Sequence, residues 1–327
     1  MTAIDLLEKT YLHFKLSKIH TRELFYLEQV PFPLYSLKED LFHVVLHPHT
    51  PVTKELLKGL LEKKDLALYI HIDNHVKLRA MQQDNLRKVS RSLSIGEPLS
   101  RGRKQLNLMT LNMMYLYQDP TSDEVLNLQY QASKNLSSFL IENQDILPKL
   151  FTEYIKSNHH YIYAQPIVSS LFLIGILKYS HRFSNKEIET LFITSLFKDI
   201  GMSALSEEKY NKKELARKDK ELLSTHPYLS SNILAGRIPL GPSYLKIIER
   251  HHEQDEHSTD EKGVALFGVE THLIRIMDII AAMITGRPYC EPCNIFEALE
   301  LTKNQISDKY PQEFKTIVNY FKNFFKS

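Results

Sequence analysis

From residue 147 onward almost every segment of the chain repeats its apolar residues at steps of three and four, the spacing that lines them up on one face of a helix. A stretch of that kind can bury its apolar faces only by packing helix on helix, so it predicts a C-terminal all-α domain of six to eight helices. Glycine points the same way. Ten glycines in 327 residues is under half the usual share of about 7%, which leaves few tight turns and excludes an all-β or collagen-like fold.

The first 100 residues have a different texture. Residues 33–38 and 42–46 look like a strand pair, 54–63 like a helix and 66–72 like a third strand. Asp73 is placed to cap a helix running to about Arg91, with Val76, Ala80 and Val89 on one side. Gly96, Pro98, Arg101, Gly102 and Arg103 give residues 94–104 the composition of an exposed linker. The reading is therefore a mainly α protein in three parts: a small α/β sensory or regulatory module over residues 1–100, a linker and connecting helices over 101–150, and a helical domain over 151–327. Within the middle part Asp123 is expected to cap a long helix whose apolar stripe runs through Val125, Leu128, Ala132, Leu136 and Phe139. His47 and His49 flank Pro48 without an acidic or cysteine partner at helical spacing, and read as a surface loop.

Charge narrows the class. Lys and Arg total 41 against 39 Asp and Glu, a formal net charge of +2, which does not suit a polycation acting on DNA, RNA or anionic lipid. The longest apolar stretch, residues 167–177, stops at Lys178, short of the roughly 20 residues a membrane span needs. Asp5 and Glu8 interrupt the start of the chain where a secretory leader would be apolar. The expected location is the cytoplasm, where Cys290 and Cys293 would be thiols. Their Cys-x-x-Cys spacing has neither a βαβ setting nor a second cysteine pair, so neither a redox motif nor a zinc site is expected.

Chemistry concentrates where polar groups interrupt apolar helices. Asp199 follows the apolar run 191–197, His226 opens a helix just before Pro227, His251 and His252 close a helix containing Leu245, Ile247 and Ile248, and Asp278 stands inside the apolar run 273–283. A carboxylate in such a place costs several kcal/mol, roughly, unless it is paired or bound to a cation. Imidazoles and carboxylates together are the ligands that iron, manganese and zinc accept, and helices can aim them at one point.

The order KDIG, THP, IERHHE and IMDIIAAMITGRPY resembles the HD-GYP branch of the HD phosphohydrolases, over residues 161–325. Asp278, followed nine residues later by Arg287-Pro288-Tyr289, is similar to that family's metal-binding Asp and its Arg-Pro-Tyr. The resemblance implies an all-α HD-type domain that holds two or three metal ions, often iron or manganese, and hydrolyses cyclic di-GMP. It implies metal ligation by Asp199, His226, His251, His252 and Asp278, a phosphate contact from Arg287, and an outer role for Glu253 in fixing an imidazole's tautomer.

Much of the pattern is missing. The histidine of the His-Asp pair is Lys198, the earlier histidine ligand falls on Gln165, and the acid of a third site falls near Tyr161. The lysine expected after Asp-Ile-Gly is Met202, and the Gly-Tyr-Pro loop is replaced by residues 254–261, where His257 offers a substitute ligand. The metal that would need both missing histidines cannot bind in its usual form, which leaves one divalent ion, iron or manganese before zinc, or none. Lys198, beside two carboxylates, could occupy the vacated cation position; the alternative is that it points into water. Three functions remain open on the sequence: a degenerate HD-GYP-type protein of cyclic di-GMP signalling that binds a cyclic dinucleotide, a related nucleotide or a partner protein with phosphodiesterase activity weak or lost; a working metal-dependent phosphodiesterase with a remodelled centre; and a purely structural interaction protein.

Overall fold

A computed structural model describes residues 15–63, 66–252, 268–306 and 310–324. The chain divides into two compact units, Met1–Leu86 and Arg87–Ser327. The fold is mainly α, with one small antiparallel sheet near the N-terminus.

The N-terminal unit is built on four strands, β1 (Leu16–Ile19), β2 (Leu34–Lys38), β3 (Leu41–Leu46) and β4 (Leu68–His71), in the order β1-β4-β2-β3. Every pairing is antiparallel. The pleat turns Leu68 and Ile70 of β4 and Leu34 of β2 inward, where they meet Leu24, Val30 and Phe32. Helix α1 (Lys54–Glu62) starts where the Thr53 side chain accepts the Leu56 amide at 3.1 Å, and adds Leu60 to this core. β1 is an addition to the sequence reading: four residues, LSKI, are too few to show alternation.

Helix α2 (Ile72–Arg91) occupies the expected span but begins before Asp73, which stands in its first turn rather than capping it, and it turns another face inward. Val76 is 72% exposed, whereas Leu78, Gln82, Leu86 and Val89 are buried. The stripe is at helical spacing once Gln82 is counted as an inside residue. Its side-chain amide donates to the carbonyls of Glu23 at 2.6 Å and Phe25 at 2.8 Å, which satisfies buried backbone acceptors an apolar side chain would leave unpaired.

The second unit contains α3 (Pro98–Gln118), α4 (Asp123–Glu142), α5 (Leu147–Lys156), α6 (Tyr161–Ser180), α7 (Asn185–Phe197), α8 (Glu207–Tyr210), α9 (Arg217–Ser224), α10 (His226–Leu234), α11 (Pro242–Arg250), α12 (Val269–Ile284), α13 (Ile295–Ile306) and α14 (Pro311–Phe324). Ten of the described helices follow residue 147, not six to eight, because the short α8 and α9 lack the length to show periodicity. Helix α3 begins inside the stretch that composition reads as linker. Pro98 occupies the first helical turn, where its missing N–H costs nothing, and Glu97 caps the Leu99 and Ser100 amides at 2.9 and 2.6 Å. In α4 the cap is Ser122, one residue before Asp123, and the expected stripe from Val125 to Phe139 is buried.

Helix α6 is the axis of this unit. It is long and apolar enough to cross a membrane by length and composition, but 89% of its most apolar window is buried among other helices. α7, α12, α14 and α3 pack around it. Gly175 lets α14 close in, since a β-carbon there would stand 1.9 Å from the Tyr320 hydroxyl. The Ser184–Glu187 capping box opens α7, whose last turn delivers Lys198 and Asp199 against α6 and α12.

Candidate metal centre

Four side chains from three places in the chain meet at one point. Asp199 follows α7, His226 opens α10, and His251 and His252 follow α11; one ligand atom from each lies within 4.8 Å of all the others. Asp199, His226 and His251 are buried and His252 is open to solvent on one side.

Two contacts bring these elements together. Gly201, on the turn after Asp199, lies so close to α10 that a β-carbon would stand 2.2 Å from the His226 carbonyl oxygen. Its amide donates to Ser230 Oγ at 2.8 Å. From α3, the Tyr117 hydroxyl donates to the Asp199 carbonyl at 2.9 Å. Tyr117, Gly201 and Ser230 therefore position the site without being ligands. Nothing in the sequence singles out Tyr117, which lies 82 residues ahead of Asp199.

The hydrogen bonds set the chemistry of the imidazoles. His226 Nδ1 is 2.7 Å from the Leu223 carbonyl and His251 Nδ1 is 2.6 Å from the Ile248 carbonyl. A carbonyl only accepts, so each Nδ1 carries its hydrogen and each neutral ring presents a lone pair at Nε2. Those Nε2 atoms stand 3.3 and 3.2 Å from the same oxygen, Asp199 Oδ1. Acceptors facing one another at this distance repel unless a cation or extra protons lie among them. His226 Nε2 is buried without a hydrogen-bond partner among the described residues. The donor set, three imidazoles and a carboxylate with no thiolate, fits a divalent ion of the iron, manganese or zinc kind. The His252 ring is driven down to a pKa of about 4, first by burial and then by the neighbouring His251, and so stays a neutral donor near pH 7.

Asp278 stands outside this group of four. Its Oδ1 is 2.6 Å from Lys198 Nζ and accepts a hydrogen bond from Gln165 Nε2 at 3.1 Å. Lys198 points inward, with no exposed surface, and its ammonium also contacts Asp199 Oδ2. Burial alone would pull the Lys198 pKa down; the two carboxylates outweigh it and push the value up. Asp199 is the reciprocal case. Burial would raise its pKa, and the Lys198 charge overcomes this and holds it well below the ordinary carboxylate range.

Gln165 passes the arrangement on. With its amide nitrogen held by Asp278, its oxygen accepts from Arg287 Nη2 at 3.1 Å. Arg287 thus reaches Asp278 only through Gln165, lies over the Tyr161 ring at 5.3 Å, and keeps a buried Nε without a partner among the described residues. Reciprocal backbone hydrogen bonds between Arg287 and Cys290, both 3.2 Å, close the turn that carries it. Cys290 and Cys293 are free thiols. Glu253, His257 and the replaced loop at 254–261 lie outside the described residues.

Asp199, His226, His252, Asp278, Gln165 and Arg287 share the wall of one cavity of about 360 Å³. No protein-family profile and no curated protein matches the sequence. Among solved structures, Bd1817, an HDG"Y"P protein from Bdellovibrio bacteriovorus, superposes with a TM-score of 0.66 over 94% of this chain and 99% of that one, at 18% sequence identity. The chain has the fold of an HD-GYP protein. At that identity the likeness speaks for the fold alone.

Proposed function

We propose that this protein is a reduced HD-GYP-type protein of cyclic di-GMP signalling: it binds a cyclic dinucleotide or a related nucleotide at a one-metal site, and its phosphodiesterase activity is weak or lost. The observation that carries the reading is the Lys198 ammonium, buried between Asp199 and Asp278. A two-metal hydrolase needs a cation at each end of the in-line displacement, one for the attacking oxygen and one for the leaving oxygen. An ammonium neutralises two carboxylates but has no open coordination position in which to hold and acidify a water.

Asp199, His226, His251 and His252 would hold a divalent ion, iron or manganese by preference, and that ion would supply a Lewis-acid contact for one phosphate oxygen. The remaining work belongs to the protein. The Nδ1–H bonds of His226 and His251 keep both Nε2 atoms available, Lys198 balances the buried acid, and Gln165 orients Arg287 toward an anion. Such a centre binds a phosphodiester without completing the machinery that cleaves it. The nucleotide-loaded state would then be what a protein partner in the cell reads.

The test is metal analysis of the purified protein, then incubation of cyclic di-GMP with added manganese or ferrous iron. About one ion per chain and turnover far below the roughly 1 per second typical of enzymes is expected. Rapid cleavage defeats the proposal, and so does a chain that takes up neither metal nor nucleotide. In the double variant K198H/Q165H the metal count should rise above that of the wild type.

A further inference from the structure

One wall of the cavity is basic in a way the metal centre does not explain. Lys212 and Lys213, on the loop between α8 and α9, and Lys220 on α9 all line it. Their neighbours are neutralised: Lys209 pairs with Asp219 at 2.6 Å and Arg217 with Glu221 at 2.8 Å. Lys212, Lys213 and Lys220 have no acidic partner among the described residues. Of the three acids on the cavity wall, Asp199 and Asp278 already share Lys198, which leaves Glu214 against three lysines.

Aromatic rings line the same cavity, together with the other cation, Arg287. The Arg287 guanidinium covers the Tyr161 ring, the Tyr161 hydroxyl donates to the Tyr210 carbonyl at 3.1 Å, and the lysine loop begins two residues after Tyr210. Tyr289 packs edge-on to Tyr161 with ring centroids 6.3 Å apart. Arg287 and the lysines are thus cations that different elements bring to one cavity; Tyr161 and Tyr210 are buried, and Tyr289, 39% exposed, offers the ring surface on which a planar group can rest.

We infer that Lys212, Lys213 and Lys220 form a second anion subsite, so that the cavity selects nucleotides carrying two separate phosphate groups, one held at Arg287 and the metal centre and the other at the lysines. The inference rests on the proposed nucleotide-binding function and specifies its ligand. Met202, where the resemblance leads one to expect a lysine, lines the same cavity; the lysine loop returns positive charge to it. The lysine ends are exposed, so each contact is modest and screened by salt, and their effect comes from acting together.

The experiment is calorimetric titration of the manganese-loaded full chain with cyclic di-GMP, which has two phosphates, and with guanosine 5′-monophosphate, which has one, at low and high salt. The comparison is between wild type and the triple variant K212Q/K213Q/K220Q. The inference expects the triple variant to weaken cyclic di-GMP binding at least tenfold, to flatten its salt dependence, and to change monophosphate binding less than threefold, with metal content unaltered. Cyclic di-GMP binding within twofold of the wild type overturns the subsite and leaves the one-metal reading standing. Parallel losses for both probes overturn the two-ended arrangement. A wild-type chain that holds its ion but binds neither probe overturns the subsite and the nucleotide-binding function together.

Discussion

Replacing Lys198 with Met keeps most of the side-chain volume and removes only the ammonium. Lys198 has no exposed surface, while Asp199 and Asp278 are 3% and 7% exposed, so the two carboxylates lose their cation where water cannot take over. Breaking a buried pair by removing one partner costs about 3–5 kcal/mol. For a helical unit of this size each kcal/mol is worth about 2–4 °C in melting temperature, so a loss of roughly 6–20 °C is expected in the presence of a chelator. The chain has no tryptophan, which makes far-ultraviolet circular dichroism the natural probe. Added manganese should then raise the melting temperature of K198M more than that of the wild type, because the freed carboxylates offer a place for a second ion. The pH dependence carries its own sign. Asp199 in the folded wild type titrates below its unfolded value of about 3.9, so its contribution is present above that pH and is lost as pH falls through the lower folded value. In K198M the burial that raises the Asp199 pKa is no longer opposed by the ammonium, so the folded variant binds an extra proton and loses stability as pH rises. The gap between the two proteins should therefore be widest near neutrality and close toward pH ~4. A loss below about 1 kcal/mol, or a gap that does not narrow on acidification, would refute the idea that the ammonium occupies a cation position.

Three further outcomes follow from the geometry. His252 titrates near 4 when folded against about 6.5 unfolded, so the protein should lose stability as pH falls through that window, and H252Q should flatten the loss when melting is followed against pH. G201A drives a β-carbon to 2.2 Å from the His226 carbonyl; overpacking of this kind costs about 1–3 kcal/mol, and elemental analysis should find the displaced α10 start accompanied by loss of bound metal. Y117F removes the hydrogen bond to the Asp199 carbonyl, with an expected cost of about 0.5–1.5 kcal/mol in denaturant unfolding and a weaker metal affinity in a competitive chelator titration; unchanged affinity would show that Tyr117 does not position Asp199.

The parts of the fold that could be read directly are those governed by neighbours in the chain. The helix spans over residues 54–63 and 73–91 could be read from local pattern, although Asp73 and Asp123, expected as caps, stand inside the first turns of α2 and α4, and the stripe in α4 lies inside as its spacing requires. Pro98 misleads because proline breaks a helix interior but starts a first turn, and only the Glu97 cap tells the two apart. Val76 and Ala80 mislead for a related reason: a helix offers more than one candidate stripe, and the buried one in α2 runs through the polar Gln82 because the backbone carbonyls it must satisfy come from residues 23 and 25. At the site, the acids and imidazoles that interrupt apolar helices could be picked out one by one. Gly201 and Tyr117 could not be assigned their parts, since one acts by lacking a β-carbon against α10 and the other by reaching the Asp199 carbonyl from a distant helix.

Sequence alone settled that this chain is mostly helical and that its C-terminal half carries polar groups too costly to leave unpaired, because periodicity and burial cost are properties of short stretches. It could not say whether Lys198 faces water or the acids, or whether Asp278 joins the four converging ligands or turns away. Those answers depend on α6, α7 and α12 meeting at one level, which places the Lys198 ammonium against both carboxylates and Gln165 between Asp278 and Arg287. Electrostatic pairing acts over a few ångströms in space, and only tertiary packing brings positions 165, 198, 199, 278 and 287 that close.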